Sequence, residues 1–207
     1  MHQAQSELNS SSNAVPGAEE DALRVQLYRL IAHYLSAPPS DQDLALAAGL
    51  SASAGTPVGD AVMGLSRAAS ATNAGREADA YQDLFIGLGR GIFVPYGSYY
   101  LTGFLHEKPL ARLRADMKTL GITRQDDVSE PEDHIASVME MMAGLIAGDF
   151  GVVPFDTQRR FFDAHVGSWA GHFLRDLSVD KTSPFYGALG TLGLQFIEVE
   201  ERAFAMD

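Results

Sequence analysis

Residues 84–100 read LFIGLGRGIFVPYGSYY. Gly87, Gly89 and Gly91 occupy alternate positions, and an aromatic cluster follows them. A glycine run of this kind holds phosphate when it joins a buried strand to a helix N-terminus, because the backbone N–H groups then point at the anion. The dinucleotide fingerprint is G-x-G-x-x-G and the phosphate loop is G-x-x-x-x-G-K-[ST]. Here the pattern is G-x-G-x-G, without a lysine. Whether a strand or a helix precedes Gly87 therefore decides both the fold and the meaning of the loop.

The preceding pattern is helical. Leu23, Leu27, Leu30, Ile31, Tyr34 and Leu35 keep the i, i+4, i+7, i+8 spacing of one buried face. Pro38 and Pro39 stop that helix. Ser40 with Asp43 forms a capping box, and Thr56 followed by Pro57 reads as an N-cap with proline at the first helical position. A further helix from about Gly75 to Phe85 buries Tyr81, Leu84 and Phe85 and leads into the glycines. Beyond them, Leu110, Leu113, Met117 and Leu120 repeat at helical spacing and end at Gly121. Ser129 with Glu132 reads as a second capping box, opening a stripe of Ile135, Val138, Met139, Met142, Leu145 and Ile146. Asp156 is placed to cap one helix carrying Phe161, Phe162, His165, Val166, Trp169, Phe173 and Leu177, and Ser183–Pro184 opens the last. No period-2 strand pattern emerges. The expectation is an all-α, single-domain bundle of about eight helices over residues 20–207, preceded by a disordered, polar tail at 1–19. The glycine loop then reads as structural: Gly87 and Gly89 allow positive φ, and Pro95 and the aromatics plug the loop onto the bundle.

Composition narrows the function. The 207 residues carry 15 Lys and Arg against 27 Asp and Glu, a net charge of −12. That balance disfavours nucleic acid and anionic membranes and favours a basic partner, although solubility alone also accounts for it. No apolar run approaches a membrane span, and the first residues lack the basic and apolar regions of a secretory signal. The absence of cysteine excludes disulfides and thiolate chemistry and fits a cytoplasmic setting. A di-iron bundle needs Glu-x-x-His pairs, and the sequence has none; His165 and His172 are seven residues apart, which is not a metal-pair spacing. We expect no metal, no cofactor and no catalysis.

Three ordered blocks carry a resemblance. YQDLFIGLGRGIFVPYGSYY contributes Tyr81, Leu84, Phe85, Gly87, Gly89, Pro95, Tyr96, Ser98 and Tyr100. EPEDHIASVMEMM contributes Glu130, Pro131, Asp133 and His134, with Glu140 and Met142 downstream. Phe161, Phe162, His165, Val166, Trp169 and Phe173 form the third. Together they resemble the TorD/DmsD/NarJ family of molybdoenzyme-specific chaperones over roughly residues 20–205. Gly97 stands where that family usually has an acidic residue, and Ser168 where it often has proline. The resemblance implies a cytoplasmic, non-catalytic chaperone that binds the twin-arginine leader or the apo form of a molybdopterin oxidoreductase subunit and assists cofactor insertion before export. A helical adaptor for an unrelated partner is the alternative. Helical proteins with long linkers can exchange helices between protomers, so a monomer or a helix-exchanged dimer is expected, with residues 121–129 as a candidate hinge.

Each candidate position has two readings. Asp133 either accepts from a client arginine or interacts with the N-terminal dipole of its helix. His134 either lines the client groove or is hydrogen-bonded at the junction. Tyr96, Ser98 and Tyr100 either touch the leader or pack the loop, and Glu130 belongs to the same client-binding set. Trp169, at helical spacing with Val166 and Phe173, reads as core.

Overall fold

A computed structural model of the chain describes residues 17–87, 89–124 and 130–206. Ten α-helices account for most of them: α1 (Ala18–Ser36), α2 (Asp41–Ala48), α3 (Pro57–Ser70), α4 (Ala74–Tyr81), α5 (Gly97–Thr102), α6 (Lys108–Leu120), α7 (Ile135–Ala147), α8 (Phe155–Phe162), α9 (Ala170–Val179) and α10 (Pro184–Ala205). No strand occurs among the described residues, so the all-α expectation holds. Residues 1–16 of the expected tail lie outside the described residues, and Ala18 and Glu19 already belong to α1.

Ten helices replace eight for two local reasons. Gly97–Thr102 forms a short helix inside the aromatic cluster, too brief to show a period. The stripe at residues 161–177 predicts one helix, but α8 passes into a π-helical turn at Asp163–Gly167 and breaks at Trp169, whose φ and ψ are −151° and −29°. The Trp169 backbone N–H donates to Val166 (3.2 Å), which leaves the His165 carbonyl free to accept the Trp169 indole N–H at 2.8 Å. A π-turn is a recognised cause of such a kink.

Helix ends follow the side chains that satisfy them. The Ser40–Asp43 capping box forms, Thr56 Oγ1 accepts from Gly59 N–H (3.0 Å), and Ser183 Oγ accepts from Phe185 and Tyr186 N–H (3.1 Å each). Two expected caps differ. α8 starts after Pro154, with Asp156 in its first turn, paired with Arg159 and Arg160. α7 starts after His134, whose Nδ1 accepts from Ala136 N–H at 3.2 Å; Glu132 instead pairs with Arg114, and Ser129 lies outside the described residues.

The bundle packs α1 along α7, and α10 along α9 and α3, around one continuous core. Its largest fully buried side chains include Trp169, Tyr28, Tyr186, Phe162 and Phe173. Two buried carboxylates tie distant segments together. Glu200, on α10, accepts from Arg24 Nε and Nη2 (2.8 Å each) and from the Tyr28 hydroxyl (2.9 Å), both on α1. Glu77, on α4, accepts from the hydroxyls of Thr72 and Ser183 (2.6 Å each). No described helix is long and apolar enough to cross a membrane.

Candidate functional site

The glycine loop leaves α4 through a π-turn at Gln82–Ile86, not through a strand. Gly87 and Gly89 have φ of 62° and 93°, the region that a side chain disfavours. Gly91 is required for a different reason: a Cβ there would lie 2.6 Å from the Leu84 carbonyl oxygen. Phe93 and Ile92 donate back to the carbonyls of Leu84 (2.7 Å) and Asp83 (3.1 Å), so the loop folds onto its own helix. The Arg90 guanidinium lies over the Tyr99 ring, 5.4 Å from its centre, linking the loop to α5.

The second half of the loop meets the segment before α7. Tyr96 and His134 form an isolated antiparallel bridge. Ile135 N–H donates to Pro95 (2.8 Å) and Gly97 N–H to Asp133 (2.9 Å). Asp133 is 4% exposed, and its Oδ2 accepts from Ser98 N–H (2.7 Å) and from the Ser98 hydroxyl. It therefore secures the first turn of α5. The third block closes the arrangement. Tyr100 packs on Trp169 (5.7 Å between ring centres) and Phe173 (5.8 Å), and its hydroxyl donates to Asp176 at 3.3 Å. A Cβ at Gly97 would sit 3.0 Å from the Trp169 indole nitrogen, so the absence of a side chain there matches the buried tryptophan.

One face of this junction borders a cleft of about 690 Å³ between α1, α7 and the end of α6. Its apolar wall includes Met117, Ile122, Met141 and Phe150; its polar groups include His33, Arg124, Glu130, Glu132, His134, Glu140 and Asp149. Glu132 accepts from Arg114 Nη2 (2.8 Å) and Nε (3.0 Å), with Arg124 at 3.7 Å. Burial alone would raise the Glu132 carboxyl, but the hydrogen bond and charge of Arg114 outweigh it and hold the pKa below the ordinary range. His134 is pushed down to about 4 by burial, against the opposing pull of Glu130 and Asp133, so its ring is neutral near pH 7. With Nδ1 accepting from Ala136, the proton of that neutral ring resides on Nε2. Partial burial raises the Glu140 carboxyl, with Arg29 and His33 opposing.

The six residues expected to bind a client therefore separate. Glu130 and His134 line the cleft. Tyr96 borders it through its hydroxyl, which donates to Glu130, and through its ring against His134 (5.1 Å). Asp133, Ser98 and Tyr100 face the interior or the α9 side and hold the junction together. His165 is engaged by Asp116 at 2.7 Å, and no group of three His, Asp or Glu is placed to hold a metal among the described residues. The α1 wall, with His33 and Ser36, was not legible from the sequence, because its contribution depends on which face α7 covers. Glu140 left a signal: it is the sole charged residue of α7, in a stretch that is otherwise apolar or small.

Residues 51–175 match the family model for the nitrate reductase delta subunit. The chain belongs to the TorD/DmsD/NarJ chaperone family. Within that family it is 34% identical over 122 residues to the probable Tat proofreading chaperone DmsD of Haemophilus influenzae, covering 58% of each chain. It is 26% identical over 127 residues to the chaperone protein TorD of Vibrio cholerae, again 58% of each, and 27% over 132 residues to TorD of Aliivibrio salmonicida, 59% of this chain and 61% of that one. The matched region thus spans about three fifths of these relatives' length. The family match includes the glycine loop, the α7 junction and Trp169.

Proposed function

We propose that this chain is a cytoplasmic maturation chaperone for a molybdopterin oxidoreductase, and that it receives the client's twin-arginine leader in the α1–α7 cleft. Engagement of the apoenzyme and assistance with cofactor insertion before export belong to the same reading. The observation that carries it is the mixed lining of the cleft: carboxylates beside an apolar wall, at the junction formed by the shared sequence blocks. A leader of this class presents arginines followed by an apolar stretch, and both halves find matching chemistry there. Kinship with proteins described as a Tat proofreading chaperone and as TorD chaperones supports the same assignment. The net charge of −12 adds long-range attraction for a basic segment.

Exposed charge pairs contribute about 0.2–1 kcal/mol each, so the apolar stretch must supply much of the affinity. Calorimetric titration with a synthetic twin-arginine leader peptide tests this. We expect saturable binding that weakens with added salt but persists, and that is lost when serines replace the apolar stretch. Absence of binding at low salt, or identical binding by the serine version, would reject the reading.

A further inference from the structure

Among the described residues, four carboxylates line the cleft, and three are engaged. Glu132 is held by Arg114, Asp149 by Arg29 at 2.7 Å, and Glu130 by the Tyr96 hydroxyl. Glu140 makes no hydrogen bond or ion pair with any described residue. It projects from the middle of α7, and Ala136, Ser137 and Met141 line the cleft beside it. His134 offers a donor in the same cleft. His134 is 7% exposed, its Nδ1 is occupied by the Ala136 N–H, and its protonated Nε2 has no hydrogen-bond partner among the described residues.

We infer that Glu140 is the guanidinium acceptor of the cleft, taking one arginine of the bound segment in a two-pronged contact while His134 Nε2–H donates to a main-chain carbonyl of that segment. This rests on the leader-binding reading above and assigns its recognition chemistry. Asp133 is the acid that the sequence motif singles out, yet Ser98 already occupies it in the interior; Glu140 is the carboxylate left available. A carboxylate matches the planar fork of a guanidinium, which supplies parallel N–H donors, whereas an ammonium presents a single point charge. Glu140 follows His134 by six residues, and both line the cleft.

The test is calorimetric titration of the full chain, wild type and Glu140→Gln, with a twin-arginine leader peptide and its twin-lysine counterpart. Wild type should prefer arginine by about tenfold, the scale of one charge-assisted contact. Glu140→Gln should bind the arginine peptide about tenfold more weakly, should no longer distinguish it from lysine, and should melt close to wild type, since Glu140 has no hydrogen bond or ion pair to lose and Arg29 and His33 act on it only through space. Unchanged affinity for the arginine peptide in Glu140→Gln, or retained discrimination, overturns the assignment. A wild type that binds both peptides equally overturns guanidinium selection but leaves the leader site standing. A wild type that binds neither peptide removes the leader reading and Glu140's role with it.

Discussion

His134 shows how one residue combines a cap, a wall and a titrating group. Its folded pKa of about 4 lies below the ordinary 6.5 because burial disfavours the charged ring. Between those values the unfolded chain binds a proton that the folded chain refuses, so His134 contributes stability in full above pH 6.5 and loses it as pH falls toward 4. The window of about 2.5 pH steps is worth about 3 kcal/mol. Asparagine also caps helices and does not titrate. Urea unfolding of wild type and His134→Asn at several pH values should therefore show a gap that closes by about 3 kcal/mol from pH 7 to pH 4. Parallel curves would mean that the ring is solvated when folded. At this scale the sequence was legible as motif and opaque as role. Asp133 and His134 are adjacent, yet one is turned inward to Ser98 and the other toward the cleft. A two-residue motif does not encode that division, because it depends on the bridge between Tyr96 and His134, which are 38 positions apart.

At the scale of elements, helical periodicity located the long helices because each buries a single stripe. It failed where an element is short or irregular. α5 has six residues and owes its place to Asp133 and Trp169, both remote in sequence. The α8–α9 kink keeps the apolar spacing on either side, so the stripe continues across a break that hydrogen bonds alone reveal. The glycine loop was readable in kind, since a helix preceded it, but the three glycines turned out to serve different needs. At Gly89 there is open space around a would-be Cβ, and the constraint is the backbone, with φ at 93°. Gly89→Val should accordingly cost about 1–3 kcal/mol through strain, with alanine costing less. Thermal melting that leaves Gly89→Val level with wild type would show that the loop relaxes freely.

Over the whole molecule, the all-α class followed from pattern, whereas the ties that close the bundle did not. Glu200 is one acid among several near the end of α10, and nothing local separates it from Glu198 or Glu201. Its burial at 1% exposure, beneath Arg24 and Tyr28, exists only once α1 and α10 are side by side. Removing one member of a buried pair leaves the other uncompensated and costs about 3–5 kcal/mol. Arg24 retains some contact with water and with Asp21, which places Glu200→Gln near the lower bound. Its urea midpoint should fall accordingly, and an unchanged midpoint would show that solvent replaces the pair.

That tie has a consequence for how the chain is made. Arg24 and Glu200 are 176 positions apart, so a chain emerging from the ribosome exposes α1 long before its partner exists. Throughout vectorial synthesis the guanidinium and the Tyr28 hydroxyl lack the acceptor that fixes α1 against α10. α1 also forms one wall of the cleft, together with α7. A nascent chain truncated before α10 can bring those two helices together but cannot lock the first of them. The cleft should therefore mature last, after translation has passed residue 200, so the α1 wall stays unlocked for almost the whole of synthesis.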